Sequence, residues 1–183
     1  MNAPTDMSLM QQVQGGDLRK MGVLYQRYNR KLFGYFYKMN GDAALSEDLV
    51  QNLFIRLIDY RHTFSGSGSF ASWVFRTARN LQYDHFKANG KHPVSYTGEP
   101  WQLSKSAAVL AEDEGVREGL IRDLRNAMDS LPAEQREILV LSKLRGLTFI
   151  EIASILDCTE GAAKVRAHRA LKALREIMIK TVE

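Results

Sequence analysis

Apolar residues in this chain recur at three- and four-residue spacing through most of its length, and no alternating stretch is flanked by hairpin turns. That periodicity restricts the fold to helices packed on helices. It lapses over residues 88–105, where Asn89-Gly90, Pro93, Gly98 and Pro100 break helices and favour turns. The expected fold is therefore all-α, two small helical domains joined by a flexible linker. Residues 1–90 form the first domain, 91–116 the linker and 117–183 the second domain, a division that 183 residues accommodate.

In the first half, helices are expected over about residues 6–13, 18–39 and 46–60. Gly15-Gly16 stops the first and Asn40-Gly41-Asp42 the second, while Ser46, Glu47 and Asp48 suit the opening of the third. A glycine-serine loop, Phe64 to Ser69, then leads into a fourth helix, SFASWVFRTARNLQYDHFK, residues 69–87. At about 100° per residue, Phe70, Trp73, Val74, Thr77, Ala78 and Leu81 share the side expected to face the core. Phe75, Arg76, Arg79, Tyr83, Phe86 and Lys87 share the other. Rings set among cations suit stacked bases and a phosphate backbone, so this face is expected to hold single-stranded or opening DNA. Glycines in the preceding loop allow it to mould around an unstacked base. The competing reading packs Phe75 and Phe86 against neighbouring helices.

In the second half, Ser130-Leu131-Pro132 starts a helix expected to run to Leu144, and Gly146 ends it. Thr148-Phe149-Ile150-Glu151 is a capping box, so a helix should follow to Leu156. Asp157-Cys158 makes the turn, and Thr159 caps a last helix to about Ile179, giving a helix-turn-helix. Ala163, Ala167, Ala170, Leu171, Leu174, Ile177 and Met178 fall on its packing arc. Lys164, Arg166, His168, Arg169, Lys172 and Arg175 fall on the outward arc. There, Arg166, Arg169 and Lys172 suit phosphates or guanine edges, and Val165 suits a thymine methyl group in the major groove.

The formal charge is only +4, but it is unevenly distributed. Arg61, Arg76, Arg79, Lys87 and Lys91 stand against Asp84 in one basic region, and the last helix is a second. Glu99, Glu112, Asp113, Glu114 and Glu118 make the connection between them acidic. Chemistry finds little support. The single cysteine, Cys158, reads as a packing residue, and the four histidines lack metal-ligand spacing. Asp84-His85 is an isolated pair, so no catalytic group has a partner and no cofactor is expected. With no apolar run long enough to cross a bilayer and no signal-like N-terminus, a cytoplasmic protein without membrane insertion is expected.

The two halves together resemble the extracytoplasmic-function (ECF) sigma factors, the small group of the sigma-70 family. ALSEDLVQNLFIRL is similar to the family's second-region helix. FASWVFRTARNLQYDHFK is similar to its promoter-melting helix, with Trp73, Ala78-Arg79-Asn80 and Asp84 in the family's order. LPAEQREILVLSKLRGLTFIEIASIL and GAAKVRAHRALKALRE resemble the fourth region.

The resemblance implies an alternative sigma factor that binds core RNA polymerase and opens promoters. Asp48, Gln51, Asn52 and Arg56 would dock on the clamp helices of the largest subunit, and the flap of the second-largest subunit would be a further contact. His62, Phe64, Ser65, Arg76, Arg79, Asn80, Tyr83 and Lys87 would hold the non-template strand of the minus-ten element. Lys164, Val165, Arg166, His168, Arg169 and Lys172 would read the minus-thirty-five duplex, and the linker would thread toward the active-site cleft and RNA exit path. An anti-sigma factor is the further partner implied. The family commonly carries Thr and Ser where this chain has Ala162 and Val165, and often Leu at Ala167, which implies an unusual upstream preference. The family often carries an arginine run after Phe86, and Lys87-Ala88-Asn89-Gly90-Lys91 is weaker. The alternative reading is a stand-alone helix-turn-helix regulator, since that motif is shared by many transcription factors.

Overall fold

The computed structural model describes residues 3–89, 114–144 and 146–182; most of the expected linker lies outside them. The described chain forms α1 (Asp6–Gln14), α2 (Arg19–Asn40), α3 (Ala43–Asp59), α4 (Phe70–Ala88), α5 (Glu114–Asp129), α6 (Ala133–Leu139), α7 (Phe149–Leu156) and α8 (Glu160–Val182). A 3-10 turn, Arg61–Thr63, follows α3, and a π-helical turn, Val140–Leu144, continues α6. No strand occurs among the described residues.

Local chemistry sets these limits. Asp42, in extended backbone after left-handed Gly41, accepts from the Leu45 N–H at 3.0 Å and so starts α3 three residues before the expected Ser46. Ser46 is buried instead, and its hydroxyl donates to Asn40 Oδ1 at 3.1 Å. The same Asn40 oxygen accepts from the Asp42 N–H at 2.8 Å, which knits the α2–α3 corner together. Pro132 precedes α6 in extended backbone, and the expected single helix to Leu144 changes to π geometry at Val140. Thr148 and Glu151 close both bonds of the capping box, and Asp157 ends α7 in the left-handed region with φ of 53°.

In the first half, α2 packs on α1 and α3, and α3 on α4. In the second, α8 packs on α5, α6 and α7. Ala163, Ala167 and Ala170 are buried, so the small side chains of α8 face its neighbours. Leu171, expected on the same arc, is 39% exposed, because the arc turns toward Leu174 and Ile177 as the helix proceeds.

The two halves also pack on each other, α7 against α4 and α6 against α2, and one buried apolar cluster runs through both. Burial corrects the reading of α4. Phe75 is 1% exposed and meets the Tyr35 ring edge-on at 5.7 Å, and Phe86 is buried as well. Their side of the helix is core. Phe75→Ala should therefore destabilise the chain by about 3–5 kcal/mol in urea unfolding, where an exposed strand-contacting ring would change stability by no more than about 0.5 kcal/mol.

Candidate nucleic-acid interface

The surface of α4 that remains open begins at the loop before it. The Gln14 side-chain amide donates to the carbonyls of Arg61 at 2.9 Å and Phe64 at 2.7 Å, so α1 fixes where the loop starts. Asp6, accepting from the Tyr28 hydroxyl at 2.6 Å and from Arg27, holds α1 onto α2. His62 and Ser65 are exposed, and Gly66 and Gly68 have φ of 73° and 95°, which a side chain would strain. Phe64 departs from expectation. It is 5% exposed, packed against Trp73 and Phe70 at 5.1 and 6.1 Å, so it anchors the loop rather than offering its ring to a base.

Along α4, Arg76, Asn80, Tyr83 and Lys87 are exposed. With Arg56, Arg79 and Asp84, two of them, Asn80 and Tyr83, line a cleft of about 540 Å³. Tyr83 is 53% exposed, and the Arg79 guanidinium lies 5.9 Å from its ring centroid, a cation–π arrangement. Arg56 crosses from α3 to Asp84 at 3.1 Å, both side chains partly in solvent. Arg79 is more enclosed. Its Nε lies 3.2 Å from each oxygen of Glu137 on α6, whose carboxylate also accepts from the Tyr35 hydroxyl at 2.7 Å. Burial opposes the Arg79 charge, but Glu137 outweighs it and holds the guanidinium above its usual range. Burial, then the Glu137 charge, push the Tyr35 hydroxyl far up, so it stays a donor.

On α3, Asp48, Gln51 and Asn52 are exposed along one stripe, with Arg56 half-buried at its end. Sequence reasoning passed over Ile55, which is 59% exposed on that stripe, although its spacing from Asp48 and Gln51 was the available signal. It also passed over a second cleft of about 300 Å³, lined by Tyr25, Asn29, Arg30, Phe33, Glu47, Val50 and Gln51, between α2 and α3. That cleft joins distant segments, and no local pattern marks it.

Lys164, Val165, Arg166, His168, Arg169 and Lys172 of α8 are all exposed, Val165 at 50%. Thr159 accepts from the Ala162 N–H at 3.2 Å, and Lys164 pairs with Glu160 one turn back at 2.6 Å. Cys158 packs against the core beside the turn. A helix-turn-helix beside exposed cations is the arrangement of a DNA-binding protein. Among the described residues, no histidine, cysteine and carboxylate cluster could hold a metal ion, and no helix is long and apolar enough to cross a membrane.

Comparison with known proteins agrees with that class. The sigma-70 region 2 family matches residues 24–92, and the sigma-70 region 4 family matches residues 121–174. The ECF RNA polymerase sigma-E factor of Escherichia coli is 30% identical over 93% of this chain and 92% of its own length. Two solved structures share the fold. CnrH, in complex with the cytosolic domain of CnrY, matches with a TM-score of 0.72 at 21% identity, over 96% of this chain and 97% of that one. RpoE of Bartonella quintana, in complex with the anti-sigma factor NepR, matches with a TM-score of 0.62 at 23% identity, over 85% and 96%. The chain belongs to the ECF sigma factors of the sigma-70 family. It is an alternative sigma factor, and sigma factors are non-enzymatic transcription-initiation factors.

One carboxylate joins the two halves. Glu151, the capping-box acid of α7, also accepts from the Ser69 hydroxyl at 2.6 Å, and Ser69 caps α4. Burial works against its ionisation, but the Ser69 hydroxyl and the Thr148 N–H and hydroxyl prevail and lower its pKa. A carboxyl depressed in the folded state stabilises fully above its unfolded pKa, near 4.5, and loses that contribution as pH falls through the folded value. Melting temperatures followed downward from pH 7 should drop for the wild type below about pH 4.5, and Glu151→Gln should flatten that part of the curve.

Proposed function

We propose that this sigma factor divides promoter recognition between its halves, residues 1–90 and 117–183, with 91–116 as the linker. Arg76, Arg79, Asn80, Tyr83 and Lys87, together with His62 and Ser65 of the loop, take the non-template strand of the minus-ten element. Phe64 supports that loop from the core. Lys164, Val165, Arg166, His168, Arg169 and Lys172 read the minus-thirty-five duplex. The observation that carries this reading is the pairing of an aromatic, cationic cleft on α4 with a separate basic face on α8.

The stripe of Asp48, Gln51, Asn52 and Arg56, widened by Ile55, docks on the clamp helices of the polymerase largest subunit, and the second half meets the flap. An exposed apolar residue among polar ones suits such a contact. The work is done in the cytoplasm. An anti-sigma factor is the expected regulator, by analogy with the RpoE–NepR complex.

Run-off transcription with bacterial core polymerase on genomic fragments should give specific transcripts only when the protein is present. Duplex binding without any polymerase dependence would return the chain to the stand-alone regulators. Arg79→Ala with Tyr83→Ala should impair opening, read by permanganate reactivity of thymines, while core polymerase binding persists. Stacking on an exposed ring contributes about 1–3 kcal/mol per base, so the opening defect should reach about tenfold or more. Val165→Ser should shift the preferred upstream sequence in a randomised promoter library without abolishing transcription.

A further inference from the structure

The seam between the halves holds a group that the strand-binding reading requires elsewhere. Glu137 lies on α6, yet the described hydrogen bonds of its side chain, from the Tyr35 hydroxyl and the Arg79 guanidinium, all cross to the first half. Its side chain is 10% exposed and that of Arg79 is 31% exposed, so the pair is sheltered from the water that weakens surface ion pairs. A carboxylate there presents two oxygens to a guanidinium, as a backbone phosphate would. Ser69, which caps α4 next to the proposed strand-binding loop, is likewise held by Glu151.

The spacing between the proposed reading faces is shorter than that between the promoter elements they are proposed to hold. With α8 on α7 and α7 on α4, the axes of α4 and α8 are separated by at most about two interhelical spacings, roughly 20 Å, at the level of α7, and their outer surfaces by about 30 Å. The names of the two elements put them about 25 base pairs apart, which at about 34 Å per turn of about 10 base pairs is roughly 85 Å along B-DNA. The halves must separate before both elements can be held.

We propose that Glu137 is an intramolecular latch: it occupies Arg79 in place of a DNA phosphate and, with the Glu151–Ser69 bond, keeps the free protein closed until polymerase and promoter draw the halves apart. This rests on the strand-binding role given to Arg79 above. The latch is selective. It covers part of the proposed strand-binding surface while Lys164, Arg166, Arg169 and Lys172 on α8 stay exposed.

Small-angle X-ray scattering on the full chain tests it without DNA or polymerase. The closed wild type should have a radius of gyration near 16 Å, the value for a compact chain of this length. Glu137→Gln keeps the shape and removes the charge, and it should raise the open fraction by about tenfold and the radius by several ångströms. Tyr35→Phe should expand the chain less, and Glu134→Gln, an exposed charge on the same helix, should leave it compact. Helical circular dichroism should be unchanged in all three. Oligo(dT) binding at low salt should tighten several-fold for Glu137→Gln and stay at the wild-type level for Glu134→Gln.

An expanded wild type would overturn the latch, as would a folded Glu137→Gln as compact as the wild type. Failure of the wild type to direct run-off transcription would overturn the functional reading instead, and the scattering result would stand apart from it.

Discussion

A carboxylate withdrawn from water must be met by donors, because an uncompensated charge in a protein interior is costly. Glu137 is met by Tyr35 and Arg79, both from the other half of the chain. Much of the seam follows from that one requirement. Tyr35 is fully buried, and its ring meets Phe36 and Phe75 edge-on, so the same residue that satisfies Glu137 also closes the aromatic core beneath α4. Replacing the cluster by apolar groups could stabilise packing equally well. An ion pair adds registry, since only one placement of α6 brings the carboxylate to both donors.

The two proposed nucleic-acid faces differ in what they leave open to solvent. On α8 the buried alanines put the helix backbone close to its neighbours, and every proposed duplex contact points outward. On α4 the supply of aromatic residues is divided. Phe70, Phe75 and Phe86 serve the interior, Trp73 and Phe64 pin the loop, and Tyr83 alone remains as an exposed ring beside cations. A single exposed ring with Arg79 and Asn80 around it gives the proposed strand one stacking position, not a continuous platform for several bases.

Much of this was legible in the residues. Helical periodicity gave the all-α class, Thr148 and Glu151 announced α7, and the alternation of alanines with cations on α8 separated its two faces. These are local signals, set by neighbours within a turn or two. The misjudged residues depend on contacts between segments far apart in the chain. Phe75 and Phe86 are indistinguishable by spacing from exposed rings, and only the packing of α4 in the fold decides their burial. Phe64 sits in a glycine-serine stretch that reads as solvent-facing, yet Phe70 and Trp73 draw it inward. The start of α3 was misplaced because Asp42 and Ser46 are both competent caps, and Gly41 delivers the chain to the earlier one. Glu137 gave no warning at all, since its partners lie 58 and 102 residues away.

The bond between Ser69 and Glu151 has one further consequence. Ser69 Oγ also accepts from the Ser72 N–H at 3.1 Å, and the second oxygen of Glu151 holds the Thr148 N–H at 2.8 Å and hydroxyl at 3.0 Å. Each partner therefore keeps its own helix cap when the other leaves. Parting the halves at this point strips no helix end of its hydrogen bonds, and water can take up the single vacancy on each side. If the halves part as proposed, they can rejoin there without either helix having to re-form.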